Sequence, residues 1–185
     1  MAARCLGSLR RGFIGQVKDR RADPLSQIRL RPAVPADAPA IGAVFDASVR
    51  ASWTYLGDLV ADSMFTSGDW DQLVADHMPP NVLLVAVDET GGMVGYTAAR
   101  PGDCEMFLLF VHPAYAGRGI GRRLLTAAHD ALRAAGCTEA FLFVHEENER
   151  ALAVYTAAGY SPDGSDRVSD FRGRRVRELR LARLL

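Results

Sequence analysis

The sequence has little cysteine and no long apolar run. Its three cysteines, Cys5, Cys104 and Cys137, are far apart along 185 residues and form no C-x-x-C pair, so we predict neither a disulfide framework nor a zinc site. The four histidines are equally dispersed, which gives a metal centre little support. No apolar stretch approaches the roughly 18–20 residues that a membrane-spanning helix needs. These absences predict a cytoplasmic protein of one domain, with no metal and no membrane partner.

Charge of one sign is scarce over long parts of the chain, although the net charge is zero. Residues 37–105 hold eleven acidic residues against only Arg50 and Arg100, whereas residues 106–185 hold twelve arginines against nine acidic residues. Most of these charges are expected on solvated faces. The same asymmetry fits a basic half for a phosphate-bearing cofactor and an acidic half for a cationic amine. No long basic face interleaved with aromatic residues occurs, so nucleic-acid binding is not expected.

Hydrophobic periodicity predicts one domain over residues 28–185, preceded by a basic extension at 1–27 that we expect to be disordered. The pattern predicts strands at 27–31, 82–87, 93–99, 104–111 and 139–144, helices at 37–50, 119–135 and 148–158, one or two helices within 51–78, and a final hairpin of 168–171 with 175–181. This order predicts an α/β sheet with helices on both faces.

A glycine turn stands between the most apolar predicted strand and the helix that follows it. It reads Gly117-Arg118-Gly119-Ile120-Gly121 and continues into two more arginines, Arg122 and Arg123. The first turn of a helix leaves backbone N–H groups unpaired, and glycines let a phosphate approach them closely. Arginines are unfavourable at a helix N-terminus unless an anion lies beside them. The turn therefore predicts an anion site, with a solvated basic turn as the alternative.

Two other nucleotide motifs are excluded by spacing. A dinucleotide fingerprint would need a third glycine where Arg122 stands, and a P-loop would need a Gly-Lys-Ser/Thr ending, which is absent.

The residues around this turn carry a resemblance to a known family. Residues 111–125, VHPAYAGRGIGRRLL, resemble the acetyl-CoA motif of the GNAT superfamily of N-acetyltransferases. The family loop Gln/Arg-x-x-Gly-x-Gly/Ala falls on residues 116–121, where Ala116 replaces the usual Arg or Gln. That departure is tolerable if the position contributes mainly its backbone N–H. A second family motif matches at Asn148–Ala151, followed by Tyr155 and by Gly159-Tyr160.

The resemblance implies a GNAT-like single domain with a mixed, mostly antiparallel central sheet, and acetyl-CoA as co-substrate. It implies a thioester contact from the backbone N–H of Leu109, with Val111 along the pantetheine arm. The implied cofactor-binding residues are Leu109, Phe110, Val111, Gly117, Arg118, Gly119, Ile120, Gly121, Arg122, Asn148 and Tyr155.

The resemblance also implies the catalytic groups. Tyr155 is the candidate general acid for the leaving thiolate; without the motif it would be interpreted as a packed aromatic residue. Glu105 is the candidate general base, since strand alternation would place it on the same side as Leu109; the alternative is a solvated carboxylate at a strand end. Phe143 stands where N-terminal acetyltransferases of the ribosomal type carry a glutamate, which argues against that subclass.

The acceptor is expected to be a small amine. Asp46, Trp53 and Tyr55 are the candidate substrate-binding residues, because an acidic and aromatic site suits a cation; each of them could equally be a core residue. Two alternatives stay open: a protein or peptide N-acetyltransferase, and a non-catalytic acetyl-CoA-binding module. The final strands of this family often mediate dimers, so a homodimer is possible.

Overall fold

The computed structural model describes residues 27–60 and 65–185. The basic extension predicted at 1–27 lies, apart from Gln27, outside these described residues. The strands are β1 Arg29–Pro32, β2 Val82–Val87, β3 Met93–Arg100, β4 Glu105–Val111, β5 Glu139–His145, β6 Ser161–Phe171 and β7 Arg174–Leu184. The α-helices are α1 Ala38–Ser52, α2 Ser67–Asp76, α3 Ile120–Ala134 and α4 Glu149–Ala157. A kinked 3-10 segment, Thr54–Val60, lies between α1 and α2.

The described strands form one sheet in the order β1-β2-β3-β4-β5-β7-β6. Adjacent strands of this described sheet pair antiparallel except β4 with β5, which are parallel. The predicted α/β fold with a mixed, mostly antiparallel sheet is therefore confirmed. The final hairpin is longer than predicted, because β6 and β7 each run for 11 residues.

The two faces of the sheet bury different cores. On one face, α1 and α2 pack through Ile41, Phe45 and Trp70 onto Tyr96 and strand residues around it. On the other face, the stripe of Leu124, Ala128 and Leu132 on α3 packs onto apolar residues of β5 and neighbouring strands. We call the first the α1 face and the second the α3 face.

An extra residue interrupts the alternation of β4. Ala98 pairs with Leu108 while the next residue of β3, Ala99, pairs with Met106, so Phe107 has no partner and forms a β-bulge. Phe107 and Phe110 pack on the core of the α1 face, whereas Leu109 packs on the cores of the α3 face. Two residues of β4 that lie an even number of positions apart, one before and one after the bulge, therefore point to opposite faces of the sheet.

The parallel strands β4 and β5 separate soon after they meet. Their pairing in the described sheet consists of one register pair, Glu105 with Phe141. Beyond it, each strand continues beside only one partner, β3 for β4 and β7 for β5. The sheet is therefore split open between the C-terminal ends of β4 and β5, and the split connects its two faces.

A disulfide joins Cys104 to Cys137, with an S–S distance of 2.05 Å and a sequence separation of 33. The prediction of no disulfide is therefore wrong, and the cysteine pattern no longer supports a reducing compartment. The two cysteines meet because Cys104 directly precedes β4 and Cys137 lies two residues before β5, and these strands begin side by side.

Within residues 27–60 and 65–185, no helix is long and apolar enough to cross a membrane. The same residues contain no group of three or more His, Cys, Asp or Glu side chains placed to bind a metal ion.

Candidate active site

A cavity of about 610 Å³ lies at the split in the sheet. Its walls come from the end of β4, the glycine turn, one side of α3, one side of α4 and the end of α1. Ten of the eleven residues predicted to bind the cofactor line it: Leu109, Phe110, Val111, Gly117, Gly119, Ile120, Gly121, Arg122, Asn148 and Tyr155. Residues far apart in sequence thus share one concave surface, as expected of a ligand site.

The glycine turn presents an uncapped helix start to this cavity. Gly117 and Gly119 have φ values of 76° and 83°, which L side chains rarely adopt. Gly119 is the N-cap of α3 and makes no side-chain cap hydrogen bond. The first turn of α3 therefore directs backbone N–H groups and the positive end of its dipole towards the cavity.

The three arginines of the turn have different surroundings. Arg122 lines the cavity. Arg118 donates to the backbone oxygen of Ala114 at 3.2 Å, and Arg123 donates to that of Ile28 at 2.9 Å. Arg118 and Arg123 thus each use one guanidinium donor within the fold, and a contact of either with an anion stays a prediction.

Ala116, which stands where the family motif has Arg or Gln, lines the cavity. Its backbone N–H donates to the oxygen of Pro113 at 3.1 Å. The N–H group is therefore bonded within the turn.

Tyr155 and Asn148 both line the cavity from α4. The side chain of Asn148 accepts a hydrogen bond from the N–H of Ala151 at 3.1 Å, so it caps the helix. Tyr155 is 8% exposed, and its burial raises the pKa of the phenol well above its ordinary value. The hydroxyl therefore keeps its proton at neutral pH, as a proton donor must.

Sequence reasoning missed three basic residues that line the cavity: His129, Arg150 and Arg183. His129 follows Leu125 by one helical turn, so helix periodicity could have placed it beside the cavity. Arg150 belongs to the second family motif. Arg183 lies on β7, and its sequence surroundings carry no signal.

Glu105 lies outside the cavity. Its carboxylate pairs with Arg100 at 3.2 Å, and the guanidinium of Arg100 lies 3.4 Å from the ring centre of Phe107. The argument that Glu105 shares a side with Leu109 is wrong, because the bulge at Phe107 reverses the alternation. Glu105 is on the α1 face, and Leu109 is on the α3 face.

The three residues predicted to bind substrate do not form one group. Trp53 lines the cavity and packs on His145, with ring centres 4.6 Å apart. The hydroxyl of Tyr55 lies 2.7 Å from Nδ1 of the same histidine. Asp46 pairs instead with Arg50 at 3.7 Å and does not line the cavity.

A family model described as the Acetyltransferase (GNAT) family matches residues 49–160. The chain is 39% identical over 98 residues to mycothiol acetyltransferase from Clavibacter michiganensis subsp. michiganensis, covering 51% of this chain and 32% of that protein. It is 35% identical over 91 residues to the N-alpha-acetyltransferase RimI of Mycobacterium tuberculosis, covering 46% of this chain and 56% of that protein. The chain thus spans about a third of the length of the mycothiol acetyltransferases that it matches.

The fold is also similar to a solved structure with a bound ligand. A GNAT superfamily phosphinothricin acetyltransferase from Sinorhizobium meliloti, in complex with acetyl-CoA, matches with a TM-score of 0.66 and 20% identity, covering 86% of this chain and 89% of that chain. At this identity the likeness shows the fold alone. Because the family model covers more than half of the sequence, the chain belongs to the GNAT acetyltransferase family.

Proposed function

We propose that this chain is an acetyl-CoA-dependent N-acetyltransferase that transfers acetyl directly to a primary amine of a small cationic molecule. One observation carries the proposal. A single cavity joins the uncapped N-terminus of α3, the split between β4 and β5, and the protonated phenol of Tyr155. An anion site, a backbone edge and a proton donor are the three elements that acetyl transfer from a thioester needs.

The residues present fit acetyl-CoA, which supplies an activated thioester when bound. Gly117 and Gly119 leave no side chain between the cavity and the backbone of the turn, and a Cβ at Gly117 would meet no atom within 4 Å. Arg122 and Arg150 add positive charge to the same wall. These groups would hold the phosphates, as helix N-termini do in other nucleotide sites.

The chain's own groups then have distinct tasks. The backbone N–H of Leu109 would polarise the thioester carbonyl as a one-donor oxyanion site. Tyr155 would protonate the sulfur as the C–S bond breaks and the C–N bond forms. Glu105 remains a predicted base, but it is paired with Arg100 and lies outside the cavity. It could therefore act only through water.

The small cationic amine is supported by the aromatic surface around Trp53 and by the relatives named mycothiol acetyltransferase. The relative named RimI favours the alternative of a protein or peptide acceptor. A non-catalytic acetyl-CoA-binding module is the third candidate. A cytoplasmic location and a homodimer remain predictions.

Mass spectrometry after incubation with acetyl-CoA and a panel of amines and peptides separates these candidates. We expect an acetylated small amine and little acetylated peptide. Acetylation of peptide N-termini alone would establish the second candidate, and tight acetyl-CoA binding without any acetylated product would establish the third.

A further inference from the structure

A row of polar side chains crosses the α1 face of the sheet beside the split. His145 is the last residue of β5, and it pairs in register with Glu178 on β7. Glu178 in turn pairs in register with Arg167 on β6. Ala140, Leu142 and Val144 of β5 belong to the core of the α3 face, so strand alternation places His145 on the α1 face.

The ring of His145 is held on three sides. Its Nδ1 lies 2.7 Å from the hydroxyl of Tyr55, and its ring packs on Trp53 and Phe171 with centres 4.6 and 6.4 Å apart. Burial raises the pKa of Tyr55 well above its ordinary value, so its phenol stays uncharged and either donates to Nδ1 or accepts from Nδ1–H, depending on the tautomer of His145. The tautomer with the proton on Nδ1 leaves a free lone pair on Nε2.

Nε2 faces a negative charge at a distance too long for a direct hydrogen bond. Oε1 of Glu178 lies 4.0 Å away, while Oε2 of the same carboxylate accepts from Arg167 at 2.8 Å. A cation that forms at Nε2 would therefore be stabilised by Glu178. Burial lowers the pKa of His145 below its ordinary value, and Arg167 lowers it too, whereas Glu178 and Glu147 raise it. The imidazole is therefore uncharged at neutral pH.

The register of the sheet places His145 across the split from the expected thioester site. Glu105 pairs with Phe141, so continuing the two strands by four residues brings His145 level with Leu109, or with Phe110 once the bulge is counted. Trp53 spans the gap, since its ring centre lies 4.6 Å from that of His145 and 6.5 Å from that of Phe110. Trp53 lines the cavity, whereas His145 itself does not, so a proton would pass from the acceptor to Nε2 through water beside Trp53.

We propose that His145 is the general base of the reaction, with Tyr55 and Glu178 as its positioning residues. The inference rests on the proposed function. The acceptor ammonium transfers one proton through water to Nε2 of His145 in its Nδ1–H tautomer, and the neutral nitrogen attacks the thioester carbon. The C–N bond forms, the C–S bond breaks and Tyr155 protonates the sulfur. The second proton that the nitrogen loses restores the phenol of Tyr155, and the imidazolium returns its proton to solvent. Glu105 is then not needed as a base.

The test is the pH profile of kcat/KM for an amine that the wild-type chain acetylates. Activity should fall in acid as His145 becomes protonated, at a pH below 6.5. His145→Gln should lower kcat/KM roughly 10²–10⁴-fold and remove this acid limb. Glu178→Gln should keep the limb but move it to lower pH, because the carboxylate that raises the pKa of His145 is gone. Glu105→Gln should retain the limb at its wild-type position.

Further measurements separate the base from a structural role. Acetyl-CoA affinity by calorimetry should be unchanged in His145→Gln, and free imidazole should restore turnover to His145→Ala. His112→Asn is a matched control, since it changes a histidine whose ring packs on Tyr115 and not on Trp53, and it keeps a side-chain cap on the 113–115 turn. Wild-type turnover that persists in His145→Gln, or an acid limb lost in Glu105→Gln, would overturn the assignment of His145 as the base. The proposed function would still stand. No turnover by the wild-type chain with any acceptor would overturn the proposed function together with the base.

Discussion

The hydroxyl of Tyr160 lies 2.8 Å from Nε2 of His129, between α3 and the end of α4. His129 is 4% exposed and Tyr160 is 2% exposed. Burial lowers the pKa of His129 to about 4, and Arg183 and Arg133 act in the same direction. One wall of the cavity thus depends on a histidine that the folded chain keeps uncharged.

This pair predicts a loss of stability in mild acid. The folded pKa of His129 is about 4, below the unfolded value near 6.5, so the unfolded chain binds the extra proton between those pH values. The free energy of unfolding should therefore fall as pH decreases through this window, by about 1.4 kcal/mol per unit from this residue at most. Urea unfolding at several pH values measures the slope. His129→Gln should flatten it, and an unchanged slope in that variant would contradict the prediction.

Tyr155→Phe should reduce kcat roughly 10²–10⁴-fold while leaving acetyl-CoA affinity near the wild-type value. The ring and its packing remain, and only the proton donor is removed. Tyr160→Phe is the matched control. Its ring centre lies 5.8 Å from that of Tyr155, and Tyr160 does not line the cavity. The loss of its hydroxyl should therefore lower the stability of the fold without reducing turnover. Equal turnover in the two variants would exclude Tyr155 as the acid.

Arg122→Ala should weaken acetyl-CoA binding, because Arg122 lines the cavity beside the start of α3. A hydrogen bond to a charged group is worth about 1.5–3 kcal/mol, which corresponds to roughly a 10–100-fold rise in Kd. Arg118→Ala is the control, since that guanidinium binds Ala114 outside the cavity. Calorimetry at low and moderate salt measures both variants. Equal losses of acetyl-CoA affinity in the two variants would mean that the turn attracts anions through its total positive charge and not through a direct contact with Arg122.

Reduction of the Cys104–Cys137 disulfide should destabilise the fold. A closed loop with this separation of 33 residues corresponds to about 3–4 kcal/mol in the chain-entropy account. Urea unfolding with and without a reductant measures the difference, and thiol titration of the denatured chain counts the free cysteines. Cys104→Ser should lower stability to the level of the reduced protein and should be insensitive to reductant.

The element order was predictable because its signals are local. Val82–Val87 was predicted with the observed bounds, and α3 begins and ends within one residue of the prediction. The glycine turn and the Asn148 cap depend on residues close in sequence, so their placement was predictable too. Family resemblance supplied Tyr155, which periodicity alone would have assigned to packing.

The errors concern features that depend on a partner strand. The bulge at Phe107 exists only in the pairing of β4 with Ala98 and Ala99, so alternation along β4 alone placed Glu105 on the wrong face. The disulfide depends on β4 and β5 starting side by side. His145 gave no sequence signal, because its partners Tyr55 and Glu178 are 90 and 33 residues away.

The bulge has a consequence for insertions and deletions in β4. Loss of Phe107 alone would remove the bulge and leave the register in place, because Leu108 would stay opposite Ala98 and Met106 opposite Ala99. Glu105 would stay on the α1 face and Met106 on the α3 face, and the chain would lose the contacts of the Phe107 ring with His77 and Arg100. Phe107 is thus a position at which β4 can shorten by one residue without exchanging inside for outside, and the glycine turn at its end is left unchanged.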